Sequence, residues 1–227
     1  MHKLTRCDAP LVLNEFDHNI HNWDDHFKSR HKALVWEKIF EMQGHYCAYC
    51  ECKLDSSDPE KTHLEHFRQK GKAEYRHLTF EWTNIFGSCC NGERCGRHKD
   101  KSNISSENIV KMDEEDPEDY FIFLSTGAVG IRDGLSPVEA ERAENTLRAF
   151  NLNPRRGGVK NERERVIKTH DYMIKEMIGL MNELKDDGGL EFLIEIRDSY
   201  IERVTTEKGP FVTAIKHVLI SNWERAV

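Results

Sequence analysis

Long apolar runs are missing from this chain. Its first twenty residues, MHKLTRCDAPLVLNEFDHNI, hold no stretch suited to a secretory signal, and nothing downstream approaches the roughly 20 apolar residues that cross a bilayer. A cytoplasmic protein with no membrane partner is the expectation. Internal repeats and low-complexity linkers are also lacking, which excludes a solenoid or a flexible tether. An even cysteine count is absent too. Seven cysteines in a reducing compartment argue against a disulfide framework and for thiolates that hold a metal, with some left free.

What is present is charge. Charged residues make up 32% of the 227 residues and the hydrophobic set 38%, polar for a globular protein but not poor enough in apolar groups for disorder. The length lies near the upper limit for one hydrophobic core. A net charge of −7 argues against a polyanionic partner, yet the charge is unevenly spread. Arg94, Arg97, Lys99 and Lys101 cluster in ERCGRHKDK, and six further cations lie in NPRRGGVKNERERVIK, while acid concentrates in KMDEEDPEDY.

Helical periodicity runs from Trp23 to about Met42 through Phe27, Leu34, Val35 and Ile39, and Gly44 ends it. The chain then enters HYCAYCECKLDSSDPEKTHLEHF, where a cysteine pair and the turn SSDPEK precede a short strand. DYFIFLSTGAVGIRDG reads as a hairpin about Thr126 and Gly127. Ser136, Pro137 and Glu139 spell a helix start with a capping box. Helix is expected from about Val159 to Lys185, with Ile167, His170, Ile174, Met177, Met181 and Leu184 on one stripe, ending at DDGG; two more helical segments follow, 190–205 and 211–225.

The cysteines carry the first functional signal. CAYC at 47–50 sets two sulfurs in a tight turn, and SCCNGERC offers a second pair 38 residues on, the spacing of a four-sulfur zinc site. Adjacent Cys89 and Cys90 diverge, so one of them joins Cys95; Cys89 is favoured, with Cys90 the alternative. Cys7 is expected to be free, and Cys52 is close enough to substitute as a ligand.

Between the two halves lies HLEHF. On a strand, His63 and Glu65 face one way while Leu64 and His66 face the other, yet near the strand's end Glu65 and His66 converge on one cleft. A carboxylate beside an imidazole suits phosphodiester hydrolysis. Glu65 offers an oxygen ligand to a divalent cation, and His66, whose kind titrates near neutrality, takes a proton from water. Asn84 and His98 are the candidates for completing the metal site and fixing the imidazole's direction.

From Cys47 to Lys101 this order resembles the His-Asn-His (HNH, ββα-metal) endonucleases: CAYC, the EH pair, Asn84 before Ile85, the second cysteine group, then His98. HLEHFRQK, FEWTNIFGSCC, RCGRHKD and LRAFNLN, with a helical C-terminal half, extend the resemblance to the PtuB endonucleases of Septu and retron-associated anti-phage systems. The resemblance implies an α+β fold: an N-terminal helical segment at 1–45, a zinc-stapled ββα-metal core at 46–104, and a hairpin plus helical region at 105–227. It implies His66 as general base, Glu65 and His98 as ligands of catalytic Mg²⁺ or Mn²⁺, Asn84 as the residue orienting His66, and structural Zn²⁺ on Cys47, Cys50, Cys89 and Cys95. A PtuA-like ATPase would be the partner and nucleic acid, DNA or RNA, the substrate, with Arg68, Arg94, Arg97 and Lys99 on flanking phosphates. Glu65 stands where most of the superfamily has Asp, and Gly96 where many relatives have Asn or His, which makes Asn91 a competitor of His98.

Two rival readings come from other classes. Arg165 and His170 in RVIKTH have the spacing of metal-independent HEPN ribonucleases, and a zinc-stapled adaptor without catalysis would also fit the cysteines.

Overall fold

A helix, α1 (Ser29–Gln43), lies across one face of an antiparallel pair formed by β1 (Thr62–His66) and β2 (Ile85–Cys89) in the computed structural model, which describes residues 1–184, 190–206 and 209–226. Thr62 stands opposite Cys89 and His66 opposite Ile85. Val35 and Ile39 of α1 share a buried cluster with Ile85, Phe27, Trp23, Trp82 and Phe80. The helix starts six residues later than its periodicity predicts. Asn22 accepts from the Asp25 amide at 2.7 Å and donates to the Asp25 carboxylate at 2.9 Å, a local arrangement that competes with the helical ladder. Trp23 and Phe27 stack at 4.3 Å and so enter the core ahead of the helix. Gly44 terminates α1 with a φ of 65°.

Gly87 in β2 permits close approach of α1. A methyl group there would lie 2.7 Å from Ile39 Cγ2 and 2.9 Å from Gln43 Nε2, and the Gln43 amide already bonds both polar groups of the Gly87 backbone. Gly87→Ala is therefore expected to cost about 1–3 kcal/mol by overpacking. Urea unfolding checks this, and an unchanged midpoint would contradict it.

The chain divides into two compact units, Met1–Tyr120 with Leu135–Asn151, and Phe121–Gly134 with Leu152–Val227. In the first, α2 (Cys95–Lys101) follows β2 and packs against α3 (Pro137–Phe150). The Ser136 capping box is present, and Asn151 closes α3 in the left-handed conformation. The second unit begins with a hairpin, β3 (Phe121–Phe123) and β4 (Val129–Ile131), turned at Gly127. Helices α4 (Val159–Thr169), α5 (Asp171–Leu184), α6 (Leu190–Thr206) and α7 (Val212–Ala226) complete it.

The single helix expected from Val159 is two, broken at His170. The His170 amide closes α4 on the Ile167 carbonyl at 2.9 Å, and its Nδ1 lies 2.7 Å from the Tyr200 hydroxyl. Ile167 and Ile174 of the predicted stripe are buried. The side chains of Met177, Met181 and Leu184, and the DDGG stop, lie outside the described residues. The fold is thus α+β, mainly helical, with small hairpin sheets. Among the described residues no helix is long and apolar enough to cross a membrane.

Candidate metal centre and active site

Four cysteines converge where α1, β2 and α2 meet. The turn after α1 is closed by the Glu51 amide on the Cys47 carbonyl and the Cys47 amide on the Cys52 carbonyl, both 2.9 Å, with Glu51 left-handed at a φ of 64°. That turn presents Cys47 and Cys50; the end of β2 presents Cys89, and the start of α2 presents Cys95. All four are buried, their sulfurs lie within 4.8 Å of one another, and Cys50 and Cys89 are 3.9 Å apart. Tetrahedral zinc with bonds of about 2.3 Å sets its sulfurs about 3.8 Å apart, so the donor set and spacing fit that ion. Burial pushes the Cys50 and Cys95 thiols well above their ordinary value. Burial acts the same way on Cys47, but hydrogen bonds from the neighbouring thiols outweigh it and hold that group well below. A bound cation would settle all four as thiolates. Cys90, directly after β2, is outside the cluster, and Cys7 is a free thiol whose Sγ lies 3.5 Å from the Lys38 carbonyl.

Strand alternation then sorts the HLEHF residues. Glu65 faces α2. Its Oε1 pairs with Lys99 Nζ at 2.6 Å, its Oε2 accepts from His63 Nε2 at 2.9 Å, and Gly96 stands so close that a methyl group there would come within 2.3 Å of Oε2. Burial raises the Glu65 carboxyl, but Lys99 and His63 outweigh it and bring the group down to about 2. Lys99 is only 3% exposed and spends its remaining protons on the carbonyls of His66 and Phe67, both at 2.7 Å.

His66 is buried on the other side of β1, with its ring edge-on to Trp23 at 4.5 Å. Its Nε2 donates to the Thr79 carbonyl at 2.9 Å. Thr79 belongs to the connection between β1 and β2, and Asn84 closes that connection. The Asn84 Oδ1 accepts from the Arg68 amide at 2.7 Å, and its Nδ2 donates to the carbonyls of Arg68 and Leu78 at 3.0 and 3.1 Å. Asn84 thereby holds the segment that holds His66.

No family profile matches the chain. Curated proteins do. Septu protein PtuB of Bacillus thuringiensis is 33% identical over 94 residues, 38% of this chain and 34% of that protein. The chain is also similar to two proteins described as "putative HNH endonuclease". That of retron Vc95 from Vibrio cholerae is 24% identical over 151 residues (63% and 68% of the two chains), and that of retron Ec83 from Escherichia coli is 29% identical over 83 (33% and 31%). The chain resembles the PtuB and retron HNH proteins. It spans about a third of the length of two of these relatives and about two thirds of the other.

The residues expected at a PtuB-like site are placed unequally. Glu65, His66 and Asn84 lie along β1 and its connection to β2. His98, on α2, donates its Nδ1–H to the Ala149 carbonyl of α3 at 2.8 Å, which leaves the lone pair on its Nε2. Among the described residues, the four cysteines are the only gathering of three or more ligand side chains at metal-binding distance. Arg97 is exposed, Arg94 is half-buried, and Arg68 pairs with Glu107 at 2.8 Å. Lys99 lies inside the protein, away from any phosphate path. Sequence reasoning missed the pairing of Lys99 with Glu65 and the bond of His66 to the Thr79 carbonyl, because neither a lysine nor a backbone oxygen carries a sequence signal for such a role. Arg165 is exposed on α4, whereas His170 closes that helix against Tyr200.

The His66 imidazole carries a pH signature. Burial disfavours its charged form and lowers it from 6.5 to about 4. The unfolded chain therefore binds the proton first, so the stability contributed by the neutral ring is complete above pH 6.5 and is lost as pH falls toward 4. The slope reaches about 1.4 kcal/mol per pH unit. Glu65 adds a loss in a lower window, from 4.5 toward 2. Urea unfolding of wild type and His66→Gln at pH 7 and 5 checks this: the variant should lose most of the difference between the two pH values.

Proposed function

We propose that this chain is a metal-dependent HNH endonuclease, the nucleic-acid-cleaving component of an anti-phage defence system that acts with a PtuA-like ATPase. The supporting observation is the chain of contacts from Asn84 through the β1–β2 connection to the Thr79 carbonyl and His66 Nε2. An Nε2 committed to donating leaves Nδ1 with the lone pair. His66 is thus held as a neutral imidazole in one tautomer, ready to take a proton from water at Nδ1. In this reading β1, β2 and α2 are the ββα core within 46–104, the cysteines hold zinc, and Glu65 holds the catalytic divalent cation. Such an ion, Mg²⁺ or Mn²⁺, neutralises charge on the phosphate and the departing oxygen. Lys99 keeps Glu65 ionised and ties α2 to the end of β1. With a net charge of −7, the chain depends on its partner for much of its nucleic-acid affinity.

The test is cleavage of plasmid, single-stranded DNA and RNA by the full chain, alone and with its ATPase, in Mg²⁺, Mn²⁺ or EDTA. Metal-dependent cleavage is expected, and Asn84→Ala should reduce it about tenfold or more with the zinc content unchanged. No cleavage under any condition would favour a zinc-stapled adaptor. Cleavage in EDTA that leaves cyclic phosphate ends would favour a metal-independent ribonuclease.

A further inference from the structure

Five cations of the first unit have no task in the function proposed above. Lys28, Arg30, Lys32, Lys72 and Arg76 are exposed or half-buried, and among the described residues none of them has a carboxylate within ion-pair distance. We infer that the face they form, built from residues 17–32 and from the β1–β2 connection at 68–77, binds the phosphate backbone of a nucleic acid beside His66. The inference deepens the nuclease reading and rests on it.

Position supplies the first reason. Both segments touch the His66 ring: the Trp23 and His66 rings meet edge to face at 4.5 Å, and Thr79, three residues past Arg76, gives the carbonyl that Nε2 bonds. They are also tied to each other. Lys70 pairs with Asp24 at 2.7 Å, and Arg76 Nε donates to the His18 carbonyl at 3.3 Å. The bond from Lys70 holds the Asp24 carboxyl below its ordinary range against the effect of burial, and Lys32 acts in the same direction, which places Lys32 at this junction. Charge supplies the second reason. The chain carries −7 overall, yet these two segments hold seven lysines and arginines against four acids, with five histidines besides. Three of the acids are engaged locally, Asp24 by Lys70, Asp25 by Asn22 and Asp17 by Asn19. A face of unpaired cations on a protein of opposite net charge fits a polyanion. The third reason is that two of the cations expected on phosphates are already neutralised, Lys99 by Glu65 and Arg68 by Glu107. Trp23 and Phe27 are buried in the core and not offered to bases, so the contact is to phosphates and carries no base preference.

The experiment is fluorescence anisotropy of labelled mixed-sequence DNA, single- and double-stranded, and of RNA, titrated with the zinc-loaded full chain. KCl runs from about 20 to 200 mM without added divalent cation, so that binding is read apart from cleavage. Wild type should bind at the low-salt end and lose affinity steeply as salt rises. Lys32→Gln combined with Arg76→Gln should weaken binding about tenfold or more and lower the salt slope by about 2, with zinc content and melting temperature unchanged. Asp24→Asn should tighten binding, since it removes a negative charge and frees Lys70. A double variant that binds like wild type, while Arg97→Gln binds more weakly, would overturn the inference and leave the nuclease reading standing. So would wild type that fails to bind at the lowest salt, or whose bound DNA is displaced as readily by polyglutamate as by unlabelled DNA of equal charge. Binding that follows every expectation, with no cleavage under any of the metal conditions above, would uphold the surface and overturn the nuclease reading.

Discussion

His66→Ala is expected to lower phosphodiester cleavage by about 10²- to 10⁴-fold, the usual contribution of a positioned general base. The effect should be specific to catalysis. His66 makes one side-chain hydrogen bond, to the Thr79 carbonyl, and its ring contacts Trp23. Loss of that packing lowers stability moderately, whereas the sulfur cluster lies on other elements and should keep its zinc. The discriminating measurement is the turnover rate at saturating metal alongside zinc stoichiometry and melting temperature. Cleavage at the wild-type rate would remove His66 from the base role. His66→Gln extends the test, since an amide can occupy the site and bond Thr79 but cannot take a proton at neutral pH.

The second large effect concerns Cys47. Cys47→Ser is expected to abolish zinc binding and unfold the first unit at ordinary temperature, because an ion on the four sulfurs would join the turn after α1, the end of β2 and the start of α2. Apparent binding energies of about 10–16 kcal/mol for structural zinc in peptides are comparable with the whole stability of a typical domain, about 5–15 kcal/mol. Zinc content by a chromogenic chelator and thermal unfolding by circular dichroism give the readout. Cys90→Ser and Cys7→Ser should keep both at wild-type level. A Cys47→Ser protein with full zinc and an unchanged melting temperature would contradict the four-sulfur assignment.

The parts readable in the sequence are those whose physics is local. Cys47 and Cys50 lie within one tight turn, and Ser136 and Glu139 form a reciprocal cap over four residues; both arrangements are present. Alternation along β1 likewise anticipated that His63 and Glu65 share a face. Features settled by tertiary contacts were hidden. A helical pattern ran through Trp23, yet the Asn22–Asp25 bonds and the core position of Trp23 delay α1 to Ser29. The helix through His170 breaks where Tyr200, thirty residues on, accepts its ring. Lys99 reads as a surface cation, and only the fold shows it paired with Glu65. Asn84 bonds the backbone of the connection and reaches the imidazole only through it.

That arrangement separates the length of the connection from the placement of His66. Arg68 at one end and Leu78 near the other are fastened to a single amide, while the backbone at Gly71, Lys72, Ala73 and Glu74 runs exposed between them. Extra residues spliced in after Gly71 would enlarge only the exposed arc, at a closure cost that grows slowly with length. The imidazole would keep its acceptor, so this stretch is free to vary in size or carry a grafted segment without disturbing the ring beneath it.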